Sequence, residues 1–169
     1  MAKTQDLYSE EVQKSARVSD WYERVKSSLD KCPFCDLKGK YIVAEKDNVV
    51  LTVNIFPYID GHLLIIPRRH LKKFDEINLT EWRAMRYLIK LGIKILEEEL
   101  GIENTNTLYR EGVKAGVSLE HLHMHILPIT PEFMQYKKTH FIWKFQEIKF
   151  APVEMAKRLR KACEKHGKK

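Results

Sequence analysis

Apolar positions along the chain change period several times, and each change predicts an element. The first thirty residues are polar-rich and punctuated by Leu7, Val12, Val18, Trp21 and Val25, which predicts a helical N-terminal arm packed on a main body. "KCPFCDLKGK" breaks that pattern with proline, glycine and two cysteines. "YIVAE" and "NVVLTVN" then read as strands, with Lys46-Asp47-Asn48 as a hairpin turn. "FPYIDG" is a loop, and "HLLIIP" is a short apolar run of the kind that makes a central strand. Asn78 followed by Glu81 is a capping-box signal and opens a helix to about Leu100. Trp82, Met85, Ile89, Ile93 and Leu96 recur at helical spacing and predict its core-facing stripe. Gly92 lies within that stripe and suggests a close approach to the sheet. "NTLYR" reads as another strand, "EGVKAGVS" as a glycine-containing turn, and "EHLHMHILP" as the strand after it. "HFIWKFQEIKF" has no decisive period. A last helix has Pro152 near its start and Gly167 near its end, where each is favoured.

Composition narrows the class. A chain of 169 residues suits one globular domain with a core of its own. No apolar run is long enough to span a bilayer. "MAKTQDLYSEEVQK" lacks the apolar stretch of a secretory signal, so the expected location is the cytoplasm. Three cysteines, Cys32, Cys35 and Cys163, argue against a disulfide framework and for metal or redox chemistry. The formal charge is +7, much of it in "KRLRKACEKHGKK". That balance suits an anionic partner, although a solvated basic tail gives the same count.

The segment "EHLHMHILP" spends its polar positions on histidine. On a strand, His121, His123 and His125 share one face while Leu122, Met124 and Ile126 share the other. Neighbours on one face are about 6.5–7 Å apart, so one phosphate or one metal can meet two of them. The pattern is open to three readings: surface histidines without a role, metal ligands, or a nucleophilic histidine beside one that handles phosphate charge. In "CPFC", a redox role needs a thioredoxin-like βαβ context, which the pattern does not give. A metal role needs two further ligands, which histidines would have to supply.

"HLHMHIL" resembles the signature of the histidine triad family of nucleotide hydrolases and transferases. "AGVS" is similar to that family's glycine-x-serine step, and "NIFPYIDGHLLIIPRRH" to its other recognisable block. The resemblance runs from about Cys32 to Pro128. It implies an α+β fold, an antiparallel sheet of about five strands with packed helices. The arm and the region after Pro128 lie outside it, so the chain is expected to divide into three segments within one globular domain: a helical arm over 1–30, a histidine triad core over 31–128 and a C-terminal extension with a basic amphipathic helix over 129–169.

The same resemblance implies roles. His123 matches the nucleophile that forms a covalent nucleotidyl-histidine, His125 the phosphate contact, and Ser118 the hydroxyl near the scissile bridge. Asn54 matches the ribose contact, and Gly116 belongs to the substrate-binding turn. Arg110 stands where well-known branches carry Asn or Gln, and Val117 where glutamine is common. An arginine there could clamp a polyphosphate or point away as a surface charge. Cys32, Cys35, His70 and His121 match a structural zinc set found in several branches, and His62 is expected to be a structural hydrogen-bonding histidine.

The implied activity is hydrolysis or phosphorolysis of a dinucleoside polyphosphate such as diadenosine tetraphosphate, by a homodimer with no membrane or nucleic-acid partner. A nucleoside phosphoramidase of the same family is an alternative. So are a metal-dependent hydrolase using the histidines as catalytic zinc ligands, and a binding module without turnover. "ILPITPEF" lacks the tryptophan expected soon after the triad in the phosphorylase branch, which leaves phosphorylase and hydrolase both open.

Overall fold

A computed structural model describes residues 6–112, 118–137 and 140–166. After two short helices, α1 (Glu10–Ser15) and α2 (Trp21–Ser27), the first strands form where the chain can turn most tightly. Asp47 and Asn48 both take positive φ, 46° and 61°. Two consecutive left-handed residues match the right-handed twist of flanking strands, and short polar side chains tolerate them. They join β1 (Ile42–Lys46) to β2 (Val49–Val53), with Lys46 opposite Val49. β3 (Leu63–Pro67), the long helix α3 (Leu79–Leu100), β4 (Thr105–Tyr109) and β5 (Met124–Pro128) complete an antiparallel five-stranded sheet of order β1-β2-β3-β5-β4. The α+β architecture and the five-stranded sheet are those the family resemblance implies.

β2 and β3 are buried on both faces. One face carries Leu51, Leu63, Leu122 and Ile126 into the main core, under α3 and the last helix, α4 (Pro152–His166). The other carries Thr52, Leu64 and His125, the last two directly paired across β3 and β5. Gly92 of α3 is what lets helix and sheet close: a Cβ there would lie 2.9 Å from Ile126 Cδ1. No helix is long and apolar enough to cross a membrane among the described residues.

The arm consists of two short helices. Two expectations are corrected. Trp82 is 40% exposed and packs edge-on to Phe74. The buried arc of α3 centres on Ala84, Leu88, Gly92 and Ile95, so the stripe through Trp82, Ile89 and Ile93 is its flank. Finally, β5 starts at Met124, so His121 and His123 precede the ladder. The cause is β3, which pairs with β5 only as far as Ile65–Met124. Beyond Pro67 the two chains are held by single contacts instead, such as Leu122 N–H to the Leu71 carbonyl at 2.6 Å. The unsettled region after Pro128 forms a ribbon of β6 (Met134–Lys137) and β7 (His140–Trp143). Pro152 does begin α4, and Gly167 lies outside the described residues.

The capping box at the start of α3 forms as its sequence signal implies. Asn78 Oδ1 accepts from Glu81 N–H at 2.9 Å, and Glu81 Oε2 accepts from Asn78 N–H at 3.0 Å. Glu81 also receives Arg69 through both carboxylate oxygens, at 2.9 and 3.1 Å. The helix start thus holds the loop that carries His70. The Arg69 guanidinium first, then the Asn78 amide, keeps the Glu81 carboxyl below its ordinary range. A carboxylate depressed in the fold stabilises it above the unfolded carboxyl range and loses that contribution as pH falls through its folded value. Glu81→Gln is therefore expected to cost about 1 kcal/mol near neutral pH. The gap to wild type should close on acidification, read by denaturant titration at several pH values. A pH-independent gap would contradict this assignment.

Candidate functional site

The histidine face of the sheet looks into a cavity of about 620 Å³. The sheet wall presents Thr52, Asn54, His123 and His125, and the opposite wall comes from the arm and from the segment after it, including Tyr22, Val25 and Phe34. The arm is anchored there by a small core of Val12, Ala16, Val25 and Phe56. His121 and His125 are 1% and 4% exposed, and His123 is half-buried.

Hydrogen bonds fix which nitrogen of each ring carries the proton. His123 Nδ1 lies 2.8 Å from the His121 carbonyl oxygen. A carbonyl only accepts, so Nδ1 is protonated and Nε2 is bare. His62 Nδ1 receives Tyr58 N–H at 3.2 Å and faces the Asn54 amide nitrogen at 3.3 Å. His62 Nδ1 is therefore an acceptor and its Nε2 carries the proton. That proton is donated to His125 Nδ1 at 2.8 Å, which leaves His125 with its proton on Nε2. A bare nitrogen on His123 thus stands beside an N–H donor on His125, with ring centroids 4.9 Å apart.

All three rings are held neutral. Burial is the main cause at His123, followed by its crowding with His121 and Arg110, although the His121 carbonyl partly opposes the fall. His125 is pushed down to about 2, by burial first and then by His123, Arg110 and Arg17. His62 falls well below its ordinary range for the same reasons. A neutral imidazole keeps its lone pair, so a nucleophilic nitrogen persists at neutral pH.

A second cluster abuts this one. Cys32 Sγ lies 3.4 Å from His121 Nδ1, and Cys35 Sγ lies 3.6 Å from the same atom and 3.1 Å from His70 Nδ1. Ligand atoms of the four residues all fall within 4.8 Å of one another. A tetrahedral zinc with ordinary bond lengths needs donor separations of roughly 3.3–3.8 Å, so the cluster fits a single ion and could bind one. His121 Nε2 donates to the Pro67 carbonyl at 2.8 Å, which leaves Nδ1 bare toward the thiols. His123 and His125 are outside this group, and no other such cluster occurs among the described residues.

The model of the HIT domain matches residues 38–132, more than half of the chain. The chain belongs to the HIT family, whose members are nucleotide-binding hydrolases and transferases. It is 32% identical over 107 residues to an uncharacterized HIT-like protein, MG132, of Mycoplasma genitalium, covering 61% of this chain and 76% of that one. It is 28% identical over 88 residues to an AP-4-A phosphorylase of Mycobacterium tuberculosis, covering 52% of this chain but only 45% of that protein. Its fold matches a Zn-bound histidine triad family protein from Mycobacterium smegmatis at a TM-score of 0.63 and 20% identity, covering 85% of this chain and 98% of that one.

Within the HIT domain, Ser118 lines the cavity, and Gly116 and Val117 lie outside the described residues. Asn54 is buried at the cavity wall, where its Oδ1 accepts from Phe56 N–H at 3.0 Å. Arg110, just beyond β4, donates to Tyr58 Oη at 3.3 Å and lies 6.0 Å from the Trp143 ring. The pattern of the sequence did not reveal the contact of His62 with His125, nor Arg17, Tyr58 and Phe34 as neighbours of the triad. The "PY" of "NIFPYIDGH" was the available signal for Tyr58. Arg17 had none, because Phe56 and Tyr58, which bring it to the site, are far along the chain. At about pH 7, long-range proton–nitrogen correlation spectra are expected to show His123 protonated on Nδ1, and His62 and His125 on Nε2. An Nε2-protonated His123 would be incompatible with the carbonyl contact.

Proposed function

We propose that this HIT protein cleaves a phosphoanhydride of a dinucleoside polyphosphate through a nucleotidyl-histidine at His123. The observation that carries this reading is the His123 Nδ1–H bond to the His121 carbonyl, which leaves Nε2 bare in the cavity. In the first step the Nε2 lone pair attacks the α-phosphorus, a P–N bond forms, and the bridging P–O bond breaks with its electrons on the departing phosphate. Water, or inorganic phosphate, then attacks the same phosphorus and the P–N bond breaks, restoring the neutral imidazole.

His125 donates Nε2–H to a phosphoryl oxygen, and Ser118 serves the leaving side. Asn54 meets the ribose, Gly116 is assigned to substrate binding by the same reading, and Arg110 contributes positive potential toward the phosphates. The AP-4-A phosphorylase relative supports a dinucleoside polyphosphate over a phosphoramidate. Exposed Leu79, Trp82 and Tyr87 on α3 support the homodimer.

Incubation with diadenosine tetraphosphate, with and without inorganic phosphate, tests the reading. AMP plus ATP marks hydrolysis and ADP plus ATP marks phosphorolysis. His123→Ala is expected to lose roughly 10³-fold or more in turnover. Intact substrate with the wild-type protein, or an unaffected variant, would sink the proposal.

Zinc is the metal proposed for Cys32, Cys35, His70 and His121. A closed four-ligand set gives a structural site, and the ion would hold the "CPFC" segment and the His70 loop against His121. It takes no part in the phosphoryl transfer proposed for His123. Protein purified without chelator is expected to carry about one equivalent of zinc. Cys35→Ser and His70→Ala should each carry less than about half of that and melt at lower temperature. A zinc-free wild type as stable as the loaded one would overturn the assignment.

A further inference from the structure

Arg17 reaches the cavity from the arm, outside the matched HIT domain. Its Nε–H donates to the Phe56 carbonyl at 2.9 Å. Its guanidinium carbon lies 3.2 Å from the centroid of Tyr22 and 4.5 Å from that of Tyr58. Tyr58 in turn stacks on His125, centroids 5.9 Å apart at 19°. Two rings and a carbonyl therefore fix the position of a half-buried cation one aromatic ring from the triad.

Most of its hydrogen-bonding capacity remains unused. Among the described residues, Arg17 forms no ion pair with a carboxylate and its Nη groups make no hydrogen bond. Rings over a guanidinium cover its faces and leave its edges, the directions in which it donates to paired oxygens. A guanidinium already held by its surroundings loses little freedom when it takes an anion. Its field reaches the histidines, being one cause of the lowered basicity of His62 and His125. Tyr22 and Val25 line the same cavity, which suits a ligand joining an anionic group to an apolar ring.

We propose that Arg17 is a phosphate-binding residue, receiving a phosphate group of the ligand from the arm while the histidines meet it from the sheet. The nucleotide identity of that ligand rests on the reading given under Proposed function. The arm is then part of the binding site, and this HIT protein reads phosphate with a residue its matched domain does not contain.

Calorimetric titration with adenosine, ATP and inorganic pyrophosphate tests this on wild type, Arg17→Gln and Arg17→Lys. Arg17→Gln is expected to weaken ATP and pyrophosphate about tenfold or more and to change adenosine by less than about twofold. Arg17→Lys should fall between, since a point charge replaces a fork. Unchanged ATP and pyrophosphate affinity in Arg17→Gln would overturn the proposal. So would equal loss of adenosine and ATP in both variants, which would make Arg17 only a tether for the arm. Wild type that binds pyrophosphate through Arg17 but neither adenosine nor ATP would support the phosphate site and retire the nucleotide reading. Wild type that binds none of the three would overturn both.

Discussion

The proton on His123 Nδ1 is the constraint on which the rest of the site depends. It is held by the carbonyl of His121, two residues earlier, just before β5. That contact selects a tautomer, aims the ring and leaves the opposite nitrogen free. It also means that the backbone at His121 must not move. Its side chain is bonded to the Pro67 carbonyl on one edge and faces Cys32 and Cys35 on the other, and the next amide is bonded to Leu71. One residue therefore joins the cysteine–histidine cluster that could bind a metal to the nitrogen proposed to do chemistry, through a single carbonyl.

The cavity concentrates imidazoles where water is scarce and two arginines are near. Each of those conditions alone disfavours an imidazolium, and together they keep all the rings neutral. Neutrality turns the cluster into an ordered chain of donors and acceptors. It runs from the Tyr58 amide through His62 to His125 and into the cavity. The buried pair of His62 and His125 is thus satisfied internally, as a polar group in a low-dielectric interior must be.

The cavity is also composite. Its floor is the sheet, the part that sequence families recognise, and its facing wall is the arm. The arm has only a small core of its own and depends on Phe56 for it. Because Phe56 lies two residues beyond Asn54, packing of the arm and placement of the Asn54 loop are mechanically linked. Arg17 uses the same loop, through the Phe56 carbonyl and the Tyr58 ring.

Much was legible in the sequence where the physics is local. The hairpin at Asp47-Asn48, the capping box of Asn78 and Glu81, Pro152 at a helix start and the two-faced alternation around His123 all depend on residues a few positions apart. Each is found as read. Gly92 was legible as a close approach, though not its neighbour Ile126. Where β5 begins was not legible, because strand ends are set by the partner and β3 turns away after Pro67. The flank position of Trp82 was equally hidden, since a helical stripe fixes a period but not which arc meets the sheet. By itself the sequence determined most of the elements, the apolar alternation of Leu122, Met124 and Ile126 toward the core, and the cysteine spacing. Only the tertiary structure decided which ring carries its proton where, that His70 meets Cys35, and that Arg17 stands between Tyr22 and Tyr58. The His70–Cys35 and Arg17–Tyr58 contacts join residues tens of positions apart, and even the local ones depend on ring orientations that packing sets.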